Sequence, residues 1–264
     1  MRSIILLSLI ATIAVADESP AKLVLKVTPN FGKASKADLL KVYESASSTI
    51  WRHCPSCKVP PVQIKHAKNG PISLFRRAPN GDIRVHLSAT GLQWAQHAYQ
   101  FAHETAHILC RYKEADMSNM WFEESICELA SLYALRQMAK EWAVSPPYPN
   151  WKNYSKSLKS YADNIMTDPK HQLPDDVPFR EWWQQQRDAL TKNHVLRDKN
   201  TIIAIHLLPL LEENPASWEA FYYLNVGRTK EAKPFEDYLA SWRTHCPERH
   251  RPFVDKVWTA FLGK

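Results

Sequence analysis

This sequence predicts an α+β chain, with a small mixed β-sheet in an N-terminal lobe and a helical C-terminal lobe. Three observations carry that expectation. Two-residue alternation of apolar and polar residues occurs only in the first ninety or so positions. Beyond Leu92 nearly every segment repeats at helical spacing. Glycine is scarce, 6 residues against 18 prolines in 264, which argues against an all-β fold full of tight turns and against glycine-rich phosphate loops.

The elements follow in order. Leu23 to Thr28 alternates and reads as a strand. Ser35 is a helix cap, followed by a periodic stretch through Leu39, Val42, Tyr43 and Ala46 to about Trp51. Val62 to Lys65 is a second strand. Ile72 to Arg76 and Ile83 to Leu87 flank Pro79-Asn80-Gly81-Asp82, a turn between two strands. The alternation of Ile83 to Ser88 is that of an edge strand. Helices are expected over about 92–112 and 118–142. Pro146-Pro147-Tyr148-Pro149 then breaks the chain. Further helices are expected near 151–166, 178–191, 198–213, 215–224, 234–244 and 247–262, several with proline in the first turn, where its missing N–H costs nothing. The division is therefore 1–16 leader, 17–145 α+β lobe and 146–264 helical lobe. A cleft between two lobes is a usual place for a site.

The leader expectation rests on Met1-Arg2-Ser3, the mostly apolar run Ile4 to Val15, and the small-x-small pattern Ala14-Val15-Ala16 before Asp17. Together these read as a secretory signal peptide, so the chain is expected to be exported, periplasmic or secreted. The run is shorter than the roughly 20 residues a membrane span needs, and no later stretch qualifies as a transmembrane segment. Formal net charge is +7, but Lys and Arg are scattered with no run of five. Nucleic-acid binding is not expected, because clustering marks such a surface. Five cysteines in an exported chain invite disulfides. Cys54-Pro55-Ser56-Cys57 reads as a structural disulfide, within the turn or to Cys246, with a redox pair as the alternative. Cys110 and Cys127 either clamp two helices as a disulfide or remain buried free thiols.

The chemistry-bearing motif is His103-Glu104-Thr105-Ala106-His107, an H-E-x-x-H. Residues four apart share a helix face, so both imidazoles reach one metal ion. Glu104 then stands beside that ion as the base for a bound water, whose pKa zinc lowers toward neutrality. Phe101, Ala102, Ala106, Ile108 and Leu109 make this helix apolar on nearly all sides. Two His and a Glu inside it are costly unless a metal satisfies them. Two His leave a catalytic zinc one protein ligand short.

Downstream lies Trp121-Phe122-Glu123-Glu124-Ser125-Ile126-Cys127-Glu128. With this stretch the chain resembles the gluzincins, the zinc metallopeptidases typified by thermolysin and the neutral zinc aminopeptidases. The resemblance is strong over about 35 residues around His103 to Leu132. It implies a zincin-like fold with two central metal-bearing helices, one zinc ion per chain, and a peptide or protein substrate. It makes Glu124 of Trp121-Phe122-Glu123-Glu124 the third ligand, with Glu128, Glu123 and Asp116 as alternatives. Glu123 is adjacent to Glu124 and points about 100° away on the helix, so both cannot be ligands. Glu128 takes the place of an acid that orients a ligand His. The resemblance also implies an oxyanion donor at a helix start. Arg197 stands there in place of a His, and His194 is the next candidate. In gluzincins a strand before the helix borders the cleft and pairs with substrate; Ile83 to Ser88 is the expected equivalent. The implied function is an exported zinc peptidase with Glu104 as base. The alternative is a weak or inactive binding or scaffold protein of the cell envelope with the same fold. A thiol–disulfide protein built on Cys54 and Cys57 is a third, weaker reading.

Overall fold

The computed structural model describes residues 22–263. The leader expected over 1–16 lies outside them. The chain is α+β, as the alternation and glycine scarcity predict, with helices outweighing one four-stranded sheet. Among the described residues no helix is long and apolar enough to cross a membrane.

Four short strands form the sheet: β1 (Leu25–Val27), β2 (Val62–His66), β3 (Ile72–Leu74) and β4 (Ile83–Leu87), in the order β1-β2-β4-β3. β1–β2 and β2–β4 are parallel, with Val62 opposite Leu25 and Ile83. β3 runs antiparallel to β4, with Ser73 opposite Val85. Helix α1 (Lys36–Trp51) makes the crossover between β1 and β2. Ser35 caps it, accepting from the Asp38 N–H at 3.0 Å. Val62, Ile64, Ile83, Val85 and Leu87 alternate onto the buried face, which joins one core with Leu39, Val42, Tyr43 and Ile50 of α1.

The expectation that Ile83 to Ser88 forms an edge strand is corrected. β4 is paired on both sides, and β3 is the edge. Alternation reports one covered face and says nothing of how many neighbours a strand has.

Helix α2 (Trp94–Leu109) and helix α3 (Met120–Val144) pack against each other at the centre. Both are buried around most of their circumference, α2 leaving only Gln96 and Tyr99 partly open. α3 also contacts α1, α4 (Ser155–Thr167) and α6 (Arg197–Glu213), so it belongs to both halves of the chain. The rest is α5 (Phe179–Lys192), α7 (Phe235–His245) and α8 (Arg251–Leu262), linked by 3-10 turns. Residues Pro215–Tyr223, expected as an α-helix, form a 3-10 helix. Large rings fill the helical half: Trp121 lies tilted against Phe235 at 4.7 Å, and Phe221 stacks on Trp242 at 5.3 Å.

Candidate metal centre

Helix α2 carries His103 and His107 one turn apart on the side that meets α3, with Glu104 next to His103. The two imidazole centroids are 5.1 Å apart. From α3, Glu124 places one carboxylate oxygen 3.3 Å from His103 Nε2 and the other 3.6 Å from His107 Nε2. Two donors bound tetrahedrally to one zinc ion stand roughly 3.3 Å apart, given bonds near 2.05 Å. Each of these two contacts, made by a different oxygen of Glu124, is close to that spacing. Cys127, one turn further along α3, is also within reach: ligand atoms of His103, His107 and Cys127 lie within 4.8 Å of one another. This buried group could bind a metal ion.

Each imidazole has a carboxylate behind it. His107 Nδ1 donates to Glu123 Oε1 at 2.7 Å, which leaves Nε2 facing Glu124. Glu128 Oε1 lies 3.8 Å from His103 Nδ1, beyond hydrogen-bond length, while Tyr99 donates its hydroxyl proton to the other Glu128 oxygen. Sequence reasoning assigned the supporting role to Glu128 and missed Glu123. The 100° rotation that bars Glu123 from the metal side is what carries it behind the ring. Glu123 is fully buried and shared: its other oxygen accepts from Asn225 Nδ2 at 2.7 Å and from Arg228 Nη1 at 3.2 Å. Asn225 accepts in turn from Tyr238 at 3.0 Å and donates to the Cys110 carbonyl at 2.9 Å. No local pattern announces Asn225 or Arg228, which arrive from more than a hundred positions away.

A cleft of about 270 Å³ opens onto these groups. The edge strand β3 forms one wall with Pro71, Ile72 and Ser73, and Phe75 extends it. The segment entering α6 forms the opposite wall with His194, Val195 and Arg197. Both residues proposed for the oxyanion role therefore flank the cleft. Arg197 is 61% exposed and stands 4.0 Å from Glu128. Tyr112, just past the end of α2, ties that helix to β3 by donating to the Leu74 carbonyl at 2.7 Å. Asp116 is occupied elsewhere, accepting from the Ser118 backbone N–H at 3.1 Å.

Three features test the fit of a cation. Glu104 is 1% exposed, yet its Oε2 has no partner. Ser73 Oγ, also on the cleft, is buried without one. Glu104, Glu123, Glu124 and Glu128 bring four carboxylates together, and Arg228 is the one buried guanidinium paired with any of them among the described residues. Burial disfavours protonated imidazole, but Glu124 and its neighbours outweigh it. His103 is raised, and His107 is pushed up to about 10. Burial likewise opposes the charge on Glu124, but His107 and His103 hold its carboxyl down at about 2. The field draws positive charge to the point where Nε2 atoms and carboxylate converge, and a divalent ion meets that demand.

All five cysteines are free and buried. Neither the Cys54–Cys57 bridge nor the Cys110–Cys127 clamp is formed. The Cys54-to-Cys57 turn closes the C-terminal end of α1, with the Cys54 N–H bonded to Trp51 at 2.9 Å. Burial pushes the Cys54 thiol up, the opposite of what a redox-active thiol needs. No protein-family model, no curated protein and no solved structure matches the chain.

Proposed function

We propose that the protein is a zinc-dependent peptidase of gluzincin type, with His103, His107 and Glu124 as zinc ligands and Glu104 as general base. The observation that carries the reading is the convergence of Glu124 on both Nε2 atoms at 3.3 and 3.6 Å, with an unpartnered Glu104 carboxylate beside them. A bound zinc ion would supply Lewis acidity and bring the pKa of a ligated water toward neutrality. Glu104 takes the proton from the water as it attacks a substrate carbonyl. Its free Oε2 is spent on no structural hydrogen bond, which suits a proton acceptor. Arg197 and His194 face the metal centre across the cleft as donors for the developing oxyanion. The edge strand β3 borders the same cleft with one side unpaired, so an extended peptide can add to it as a further strand. The edge strand beside the H-E-x-x-H helix, and the packing of α3 on that helix, support the reading.

The rival reading is a zinc-holding binding protein with the same helices. The position of Arg197 beside Glu128 favours it, because a guanidinium engaged there is not free for the cleft. Glu104→Gln separates the two. Metal content is measured by elemental analysis, and cleavage with a peptide library. About one zinc per chain in both forms, with activity in the parent and a loss of 10²- to 10⁴-fold in the variant, is the expected outcome. Zinc without any cleavage by the parent would leave the binding protein. A chain that takes up no zinc sinks both.

A further inference from the structure

We infer that Cys127 is itself a metal ligand, so that the centre is a thiolate-containing site built from His103, His107, Glu124 and Cys127. The inference rests on the metal reading above and goes beyond it. Its starting point is geometric: Cys127 Sγ and a ring nitrogen from each His lie within 4.8 Å of one another. Donors on one tetrahedral zinc stand roughly 3.6 Å apart for a sulfur and a nitrogen, given bonds near 2.3 and 2.05 Å. Shifts of about 1.5 Å at most, taken up between the side chains, close that gap. Glu124 and Cys127 are three residues apart on α3, so they project on one side of the helix toward α2.

Cys127 has no other assignment. It is fully buried, is not in a disulfide, and takes part in no side-chain hydrogen bond as donor. The carboxylates gathered here favour binding of a cation. Burial and those same carboxylates push the Cys127 thiol up, so its proton would leave to solvent only as the cation binds. A thiolate among the donors selects thiophilic ions such as Zn²⁺, Co²⁺ and Cd²⁺ over Mg²⁺ and Ca²⁺. With all four donors bound, a water would have to take a fifth position, which zinc sometimes provides in a transition state.

The test is a cobalt titration of the purified, chelator-stripped chain, read by absorption. One cobalt per chain is expected, with ligand-field bands in the visible and a sulfur-to-cobalt charge-transfer band in the near ultraviolet. Cys127→Ser should lose the charge-transfer band and bind cobalt about 100-fold more weakly. Cys110→Ser should keep both. Cobalt held with ligand-field bands alone overturns ligation by Cys127 and leaves the metal site standing. A charge-transfer band that survives Cys127→Ser also overturns it. No cobalt bound overturns the metal reading as well. If Cys127→Ser does not fold, zinc X-ray absorption on the unaltered chain decides: one sulfur at about 2.3 Å supports the inference, and nitrogen and oxygen alone near 2.0–2.1 Å overturn it.

Discussion

Glu123 shows how a single buried side chain ties the candidate site to the rest of the protein. Its charge is balanced by Arg228 and hydrogen-bonded by Asn225, and its free face orients His107. Arg228→Met should therefore strand a buried carboxylate and cost about 3–5 kcal/mol in urea unfolding. Adding Glu123→Gln should recover most of that loss, because the orphaned charge is then gone. The double variant should still bind zinc about 10-fold more weakly, since a neutral amide no longer raises the basicity of His107. A double variant as unstable as Arg228→Met would show that the guanidinium acts by packing instead. His97, two turns before His103, illustrates the opposite role for an imidazole. Its Nδ1 accepts from Tyr43 at 2.9 Å and its Nε2 donates to the Gly91 carbonyl at 3.1 Å, so both nitrogens are used in the neutral form. Burial lowers its pKa to about 4. The folded value lies below the unfolded one, so the associated stability is present above about pH 6.5 and is lost as pH falls toward 4, to a limit of roughly 3 kcal/mol. Urea midpoints between pH 7.5 and 5 should fall less for His97→Gln than for the parent.

Among the elements, β3 is short but its placement matters, as the edge strand that touches both β4 and the helix carrying His103 and His107. Gly70 leads into it, and a Cβ there would meet backbone atoms of His86, Leu87 and Ser88 at 2.9 Å. Gly70→Ala should push the start of β3 off β4 and spoil the cleft wall while the helices keep their places. Peptide KM should rise with zinc content unchanged, which kinetics and elemental analysis read separately. A lowered zinc content would mean that β3 holds α2 in register. The helices of this fold were legible because their signals are local. Ser35 announces α1, the Pro146-to-Pro149 run announces the break after α3, and the H-E-x-x-H spacing by itself puts two imidazoles on one face. What was hidden is non-local. The edge position of β3 depends on which strand pairs with which, and the support of Glu123 depends on Asn225 and Arg228 arriving from the far half. Residues 215–223 carry helical periodicity and a leading proline, yet end as a 3-10 helix, because periodicity alone does not separate the two in a short segment.

On the scale of the whole molecule, the candidate centre lies where the two halves meet. α2 belongs with the sheet, α6 and the Arg228 segment belong with the helical half, and α3 runs through both. One continuous set of buried side chains extends from Val27 to Phe261. The sequence divides at the Pro146 break, but the core does not, so unfolding should be a single cooperative transition. The four carboxylates concentrated at this junction repel one another when no cation is present. The unfolded chain separates them and has no preformed site, so metal binding adds directly to the stability of the folded state. At a free zinc concentration about 100 times Kd, that addition is about 2.7 kcal/mol. For a chain of this size each kcal/mol moves Tm by about 2–4 °C. Chelation should therefore lower Tm by about 5–10 °C in one undivided calorimetric transition, and zinc should restore it. A melt that splits in two, with only the first step responding to zinc, would mean that the halves fold independently and that the metal steadies the sheet half alone. A Tm indifferent to both chelator and zinc would remove the cation from the account of how this junction is held together.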